Sequence, residues 1–194
     1  MAIGKIKVEQ LQSGSQPYGQ FIKSDGSGNT IWGGVIDAGI TFPSNPTGGT
    51  LYYRTDADAL FHYDDSRSKW LTVKTLLYSC GRSNIQKNTS AYMYAGGAVQ
   101  SSTNGFIMTH NGTILSATVD NITIMGTDRN VEFRVNDSAV NRVLLTITAG
   151  NKSATTIIAD QNFSSGDTIQ VVGIANGGTD FNNIIVTFEI GWRI

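Results

Sequence analysis

The amino-acid sequence predicts an all-β protein whose second half is a jelly-roll β-sandwich, preceded by a small β-meander and an extended N-terminal arm. Three observations predict it. Apolar and polar residues alternate over short runs, with Val131, Phe133 and Val135 set against Asn130, Glu132, Arg134 and Asn136, as half-buried strands require. Turn signals such as HNGT, TAGN, SSGD and ANGGTD recur between those runs, and no helical period or coiled-coil heptad interrupts them. Only 15% of residues are charged while 22 are Gly, against roughly 25% charged in ordinary soluble domains. Ser, Thr and Asn therefore supply the polar surface.

The 194 residues are enough to bury roughly 70% of the surface that the unfolded polypeptide exposes. Three segments follow from the pattern. Residues 1–49 hold SGSQPYGQ, SDGSGN and PSNPTGG, a density of Gly and Pro that marks turns and extended loops. Such a segment lacks the apolar surface to offset its own ordering entropy. Its separated apolar residues, notably Tyr18, Phe21, Ile31, Trp32 and Phe42, are candidate anchors on a partner or on the rest of the molecule. Residues 50–75 read as three strands, Thr50–Arg54, Ala59–Tyr63 and Lys69–Val73, whose TDAD and DDSRS connections suit turns. A meander this small must pack on a neighbour.

Residues 76–194 form the sandwich. Strands are expected near 75–80, 105–109, 113–125, 130–136, 141–148, 154–159, 168–174 and 183–194. The final run places Ile184, Val186, Phe188, Ile190 and Trp192 on one face. That face is the candidate core surface, with its ends approaching a symmetry axis if the protein associates.

Several functions are disfavoured by the residues themselves. Lys and Arg number 14 against 15 Asp and Glu, with no basic stripe, so nucleic-acid binding has no electrostatic footprint. Cys80 stands alone and reads as a buried structural thiol. No run approaches the length of a membrane span and the first residues lack a secretory core, which points to assembly in a cytoplasm without a membrane partner. Two separated histidines, His62 and His110, are a poor basis for a catalytic triad or a zinc site. Asp56, Asp58, Asp64 and Asp65 fit turns better than a calcium loop. No enzyme activity, cofactor or metal is expected.

Two segments carry a resemblance. GTLYYRTDADALFHYDDSRSKWLTV resembles a module of tailed-phage fibre, spike and head-surface proteins, through its Gly-led strand with Tyr52 and Tyr53, its Thr-Asp turn, Leu60 with Tyr63, and the closing Trp70. QLQSGSQPYGQFIKSDGSGNTIWG looks like the N-terminal segments of such proteins. GFIMTHNGTILSATV, VEFRVNDS, FSSGDTIQVVGI and IIVTFEIGWRI are similar to the jelly-roll heads of phage appendages, built like the tumour-necrosis-factor-like trimers. The resemblance implies a homotrimeric structural protein on the virion surface and no catalytic residues. Within it, the leading expectation is a head decoration or cement protein, whose N-terminal region binds the major capsid protein or another virion protein. The alternative is a receptor-binding tail-fibre or spike tip, for which Tyr92, Tyr94 and Phe106 are the candidate contacts with a host glycan or protein.

Overall fold

A computed structural model describes residues 20–24, 30–34, 36–157, 159–177 and 179–193, the first two segments by their backbone alone. Strands β1 (Gln20–Ser24) and β2 (Thr30–Gly34) pair antiparallel as a hairpin. The arm expected to be extended thus contains regular structure. The signal lies in QFIKS and TIWGG on either side of an Asp-Gly and Gly-Asn turn, a combination that favours hairpins.

β3 (Asp37–Gly39), β4 (Leu51–Arg54), β5 (Ala59–Asp64) and β6 (Lys69–Thr72) form a four-stranded sheet in that order. β4, β5 and β6 are the three expected strands of the meander, and β3 adds to β4 in parallel. The meander's sheet therefore begins at Asp37 rather than near residue 50. Asp58 and Ser68 take positive φ in the two connecting turns.

Twelve further strands are described: β7 (Thr75–Ile85), β8 (Ser90–Tyr92), β9 (Tyr94–Ala95), β10 (Ala98–Val99), β11 (Phe106–Ile107), β12 (Gly112–Asp120), β13 (Arg129–Val135), β14 (Arg142–Ile147), β15 (Ser153–Thr156), β16 (Gln161–Phe163), β17 (Thr168–Ile174) and β18 (Phe181–Trp192). They make two sheets. The first runs β10-β9-β7-β18-β12-β15, with β16 also on β12; the second runs β11-β17-β13-β14, with β8 also on β17. The polypeptide switches sheet between β12 and β13, β14 and β15, β16 and β17, and β17 and β18, while β13 and β14 stay together as neighbours. That interleaved order, antiparallel throughout, is the jelly-roll form of sandwich that the alternation predicted.

The core lies between the sheets. Val131, Phe133 and Val135 face Ile184, Val186, Phe188 and Ile190, all buried, and the rings of Phe133 and Phe188 meet edge to face at 5.3 Å. Tyr78 stacks on Phe188 at 5.3 Å. Three expected strands are shorter than read. β12 ends at Asp120 because Asn121 is buried and its Nδ2 donates to Thr123 O at 2.8 Å, turning the backbone before the apolar NITIM run is spent. β15 stops at Thr156 and β11 covers only Phe106 and Ile107. A register shift between Ile114 and Ser116 places a bulge at Leu115.

Candidate functional site

The outward face of the first sheet carries a row defined by strand register. Asp120 lies opposite Ile185, Ile185 opposite Gly81, Gly81 opposite Tyr94, and Tyr94 opposite Val99. Directly opposed residues in antiparallel strands project to the same side, and Ile184 and Val186 on either side of Ile185 are buried. Ile185, Tyr94 and Val99 are 60%, 43% and 46% exposed. Gly81 leaves a dip between Ile185 and Tyr94, and a Cβ there would meet Ile184 O at 2.6 Å. The Arg82 guanidinium covers the Tyr94 ring at 5.1 Å and donates to Tyr92 O at 2.7 Å, worth about 0.5–1 kcal/mol for the cation–π contact at an exposed site. The next row, Ser79, Thr187, Thr118 and Thr155, is polar, with Thr118 and Thr155 hydroxyls 3.1 Å apart. An apolar stripe with a polar flank results.

A second apolar surface lies along the edge of the same sheet. β15 is the terminal strand of the first sheet. The turn at Asn121 points Ile122 and Ile124 outward while Met125 is buried, and Ile157 follows β15. These three isoleucines are 65%, 69% and 75% exposed. Isolated exposed apolar residues are ordinary, whereas grouped ones mark interaction surfaces.

The outer face of the second sheet is instead a closed polar tile. Glu132 accepts from Arg134 at 2.7 Å and pairs with Arg142 at 3.0 Å, Arg134 reaches Asp137 at 3.1 Å, and the Tyr92 hydroxyl donates to Asp137 at 2.8 Å. Burial, and then the Asp137 hydrogen bond, push the Tyr92 phenol above its ordinary pKa. Two cations and two anions satisfy one another there.

The meander is fastened to the sandwich by side chains from its last turn. Arg67 Nε donates to Ala159 O at 2.8 Å and Nη2 to Leu115 O at 2.8 Å, while Nη1 pairs with Asp64. The bulge at Leu115 thus presents its carbonyl to the meander. Burial drives Asp64 upward, but hydrogen bonds from Ser66 and Arg67 and the guanidinium charge outweigh it, holding the carboxyl below its usual value. Lys69 pairs with Asp160, and Thr72 Oγ1 accepts from Trp192 N at 3.1 Å. Buried Leu71 packs beside Gly191 and Leu115. A cleft of about 410 Å3 remains at this junction, lined by Asp58, Leu60, Thr72, Lys74 and Trp192 among others.

The residues singled out in the sequence fall in different places. Tyr18 lies outside the described residues. Phe21 is in β1 and Ile31 and Trp32 in β2, with side chains outside the described part. Phe42 packs within the meander, stacked on Trp70 at 4.6 Å with the Arg54 guanidinium 4.7 Å from its ring. Ile184, Val186, Phe188 and Ile190 are core residues, while half-buried Trp192 borders the cleft and lies 5.4 Å from the His110 ring. Tyr92 belongs to the polar tile. Phe106 turns inward onto Tyr78 and Phe188 at 5.0 and 5.5 Å, leaving Tyr94 as the exposed aromatic of the three. The acidic turns are internally bonded: Asp56 to Arg54, Asp58 to Tyr53, and Asp64 to Ser66 and Arg67. Among the described residues no three His, Cys, Asp or Glu side chains cluster as metal ligands would.

Sequence reasoning missed Ile185, the three edge isoleucines, Arg67 and Arg129. The outward position of Ile185 follows from the alternation of β18 and could have been read. The edge isoleucines sit in a run that looks like strand, and nothing local announces that Arg67 or Arg129 is buried.

No family model matches the sequence, and no curated protein matches it. Solved structures with some likeness include the PRD1 vertex protein P5, 13% identical with TM-score 0.41, covering 61% of this protein and 96% of that one. An exo-beta-1,3-galactanase from Phanerochaete chrysosporium is 18% identical with TM-score 0.31, covering 66% of this protein and 32% of that one. FLHE is 13% identical with TM-score 0.30, covering 63% of this protein and 100% of that one. Likeness at this level carries no inference about activity.

Proposed function

We propose that this is a structural protein of a phage virion surface, a capsid decoration or cement protein, in which sandwiches associate as a ring of three while the N-terminal region holds the particle. The observation that carries the association is the pair of separate apolar surfaces on one sheet, the Ile185–Tyr94–Val99 stripe on its face and Ile122, Ile124 and Ile157 along its edge. A closed ring needs two different surfaces, each protomer giving its face to one neighbour and its edge to the other. The virion assignment rests on the resemblance of the meander and jelly-roll segments to phage appendage proteins. The weld at Arg67, Lys69 and Thr72 suits a collar that transmits load between arm and knob.

Light scattering on the purified protein tests the ring. Ile185→Asp and the double variant Ile124→Asp/Ile157→Asp should each be monomeric. Mixed, they should give dimers and no larger species, because one intact face then meets one intact edge and the ring cannot close. A monomeric wild type, or variants that remain wild type in size, would overturn the ring. Deleting residues 1–35 should abolish binding to particles lacking the protein while leaving the knob folded; retained binding would sink the anchoring role. A second reading, the receptor-binding tip, is favoured by one observation, the exposed Tyr94 ring braced by Arg82. Tyr94→Ala abolishing attachment of the trimer to host cells would select it.

A further inference from the structure

Three Asn-Gly pairs occur in the sequence, at Asn104, Asn111 and Asn176. Gly after Asn leaves the backbone nitrogen open to attack on the Asn side chain, and strand pairing opposes the backbone rotation that the attack needs. Asn111 is held on both sides: its Oδ1 accepts from Ser165 N at 3.0 Å, its carbonyl accepts from Arg193 N at 2.8 Å, and Gly112 begins β12. Asn104 exchanges backbone hydrogen bonds with Ser101, and Gly105 lies so close to β17 that a Cβ would be 2.5 Å from Ile169 O. Asn176 differs. It is exposed, lies outside any strand, and precedes Gly177 at φ +66°.

Its backbone carbonyl has a demanding neighbour. Arg129 is fully buried, and among the described residues its acceptors are carbonyls and hydroxyls: Asn176 O at 2.8 Å, Asp128 O at 3.0 Å, Thr127, and Thr179. Its Nε has no partner among them. Thr127 Oγ1 also donates to Asn176 O at 3.2 Å. One carbonyl therefore joins the loop before β13 to the loop before β18, around a buried positive charge that is costly to hold without an anion.

We propose that Asn176 is a site of spontaneous deamidation and that the change loosens the Arg129 clasp. The deprotonated Gly177 nitrogen attacks Asn176 Cγ, the Cγ–Nδ2 bond breaks and ammonia leaves, closing a succinimide. Water then opens one of its two carbonyl–nitrogen bonds, leaving either aspartate or isoaspartate, with one negative charge gained. Isoaspartate also inserts a methylene into the backbone and carries the Asn176 carbonyl away from Arg129 and Thr127; aspartate leaves that carbonyl in place. The inference does not depend on the proposed function.

The test ages the full-length protein at mildly alkaline pH and maps conversion by peptide mass spectrometry with isoaspartyl methyltransferase labelling. Conversion at Asn176 should outpace that at Asn104 and Asn111 severalfold; equal or faster conversion at either overturns the site. Hydrogen exchange then separates charge from backbone. In aged, isoaspartyl-rich protein the amides of residues 127–130 and 175–177 should exchange severalfold faster than in fresh protein, while fresh Asn176→Asp matches wild type. Unchanged exchange in the aged protein, or equally fast exchange in Asn176→Asp, overturns the clasp.

Discussion

Replacing Arg67 by Ala should loosen the meander from the sandwich, with a cost that can be worked from its contacts. Arg67 and Asp64 side chains are only 9% and 13% exposed, so their pairing is a buried one. Removing the guanidinium leaves Asp64 with the Ser66 hydroxyl and the Arg67 backbone N–H, and loses a charge-assisted bond worth about 1.5–3 kcal/mol. Ala159 O loses its 2.8 Å donor, at a cost of about 1–2 kcal/mol for a part-buried acceptor. Leu115 O still accepts from Ala159 N at 2.9 Å and adds little. The sum is about 3–5 kcal/mol, the range seen when one partner of a buried pair is removed. Urea unfolding at neutral pH should show it as a lower midpoint. Arg67→Lys should recover about half, since an ammonium can pair with Asp64 but cannot span both carbonyls. In a double-mutant cycle with Asp64→Asn the two losses should overlap by about 1–3 kcal/mol. The effect also has a pH signature. Asp64 is held below its usual value, so its contribution is complete above the unfolded pKa of roughly 3.9 and disappears as pH falls through the lower folded value. The penalty of Arg67→Ala should accordingly shrink in acid. A cost under about 1 kcal/mol, typical of exposed pairs, or a penalty that does not change in acid, would refute the account.

Other outcomes follow from single features. Burial pushes the Cys80 thiol up to about 12, so it should resist alkylation in the native protein at pH 8 and react on unfolding. Because the folded value is the raised one, its contribution is complete below the unfolded pKa of roughly 8.5 and is lost as pH climbs toward 12; alkaline unfolding of Cys80→Ala should lack that component. Gly112→Ala would place a Cβ 2.3 Å from the Phe163 ring and 2.9 Å from Gly191 O, and thermal unfolding should show a loss of about 1–3 kcal/mol from overpacking. Arg129→Ala strands several buried carbonyls at once and should cost about 3–5 kcal/mol in urea unfolding, more than any substitution of the exposed Lys152.

What the sequence disclosed depended on how far each interaction reaches along the polypeptide. β13 and β18 were readable because alternation is local, and their inward residues proved to be the core. β3 was not, since three residues gain strand geometry only by lying beside β4, and Phe42 gave no sign that its ring would stack on Trp70 rather than await a partner. The NITIM run misled for the opposite reason. Its apolar content is real, yet a buried Asn121 ends the strand and turns two isoleucines outward. The candidate site was least legible of all: the Val99–Tyr94–Gly81–Ile185 row draws on four strands, and no pattern within any one of them places those residues side by side.

The position of β18 bears on how this protein must be made. Residues 181–192 occupy the middle of the first sheet, between β7 and β12, although they leave the ribosome after every other described strand. Until they emerge, β7 and β12 each have a long side with nothing to pair, of the kind that recruits other polypeptides. Synthesis stalled or cut short near residue 180 would then yield a product with its central joint missing rather than a trimmed edge, and such nascent molecules should depend on chaperones in proportion to the time spent waiting for the last strand.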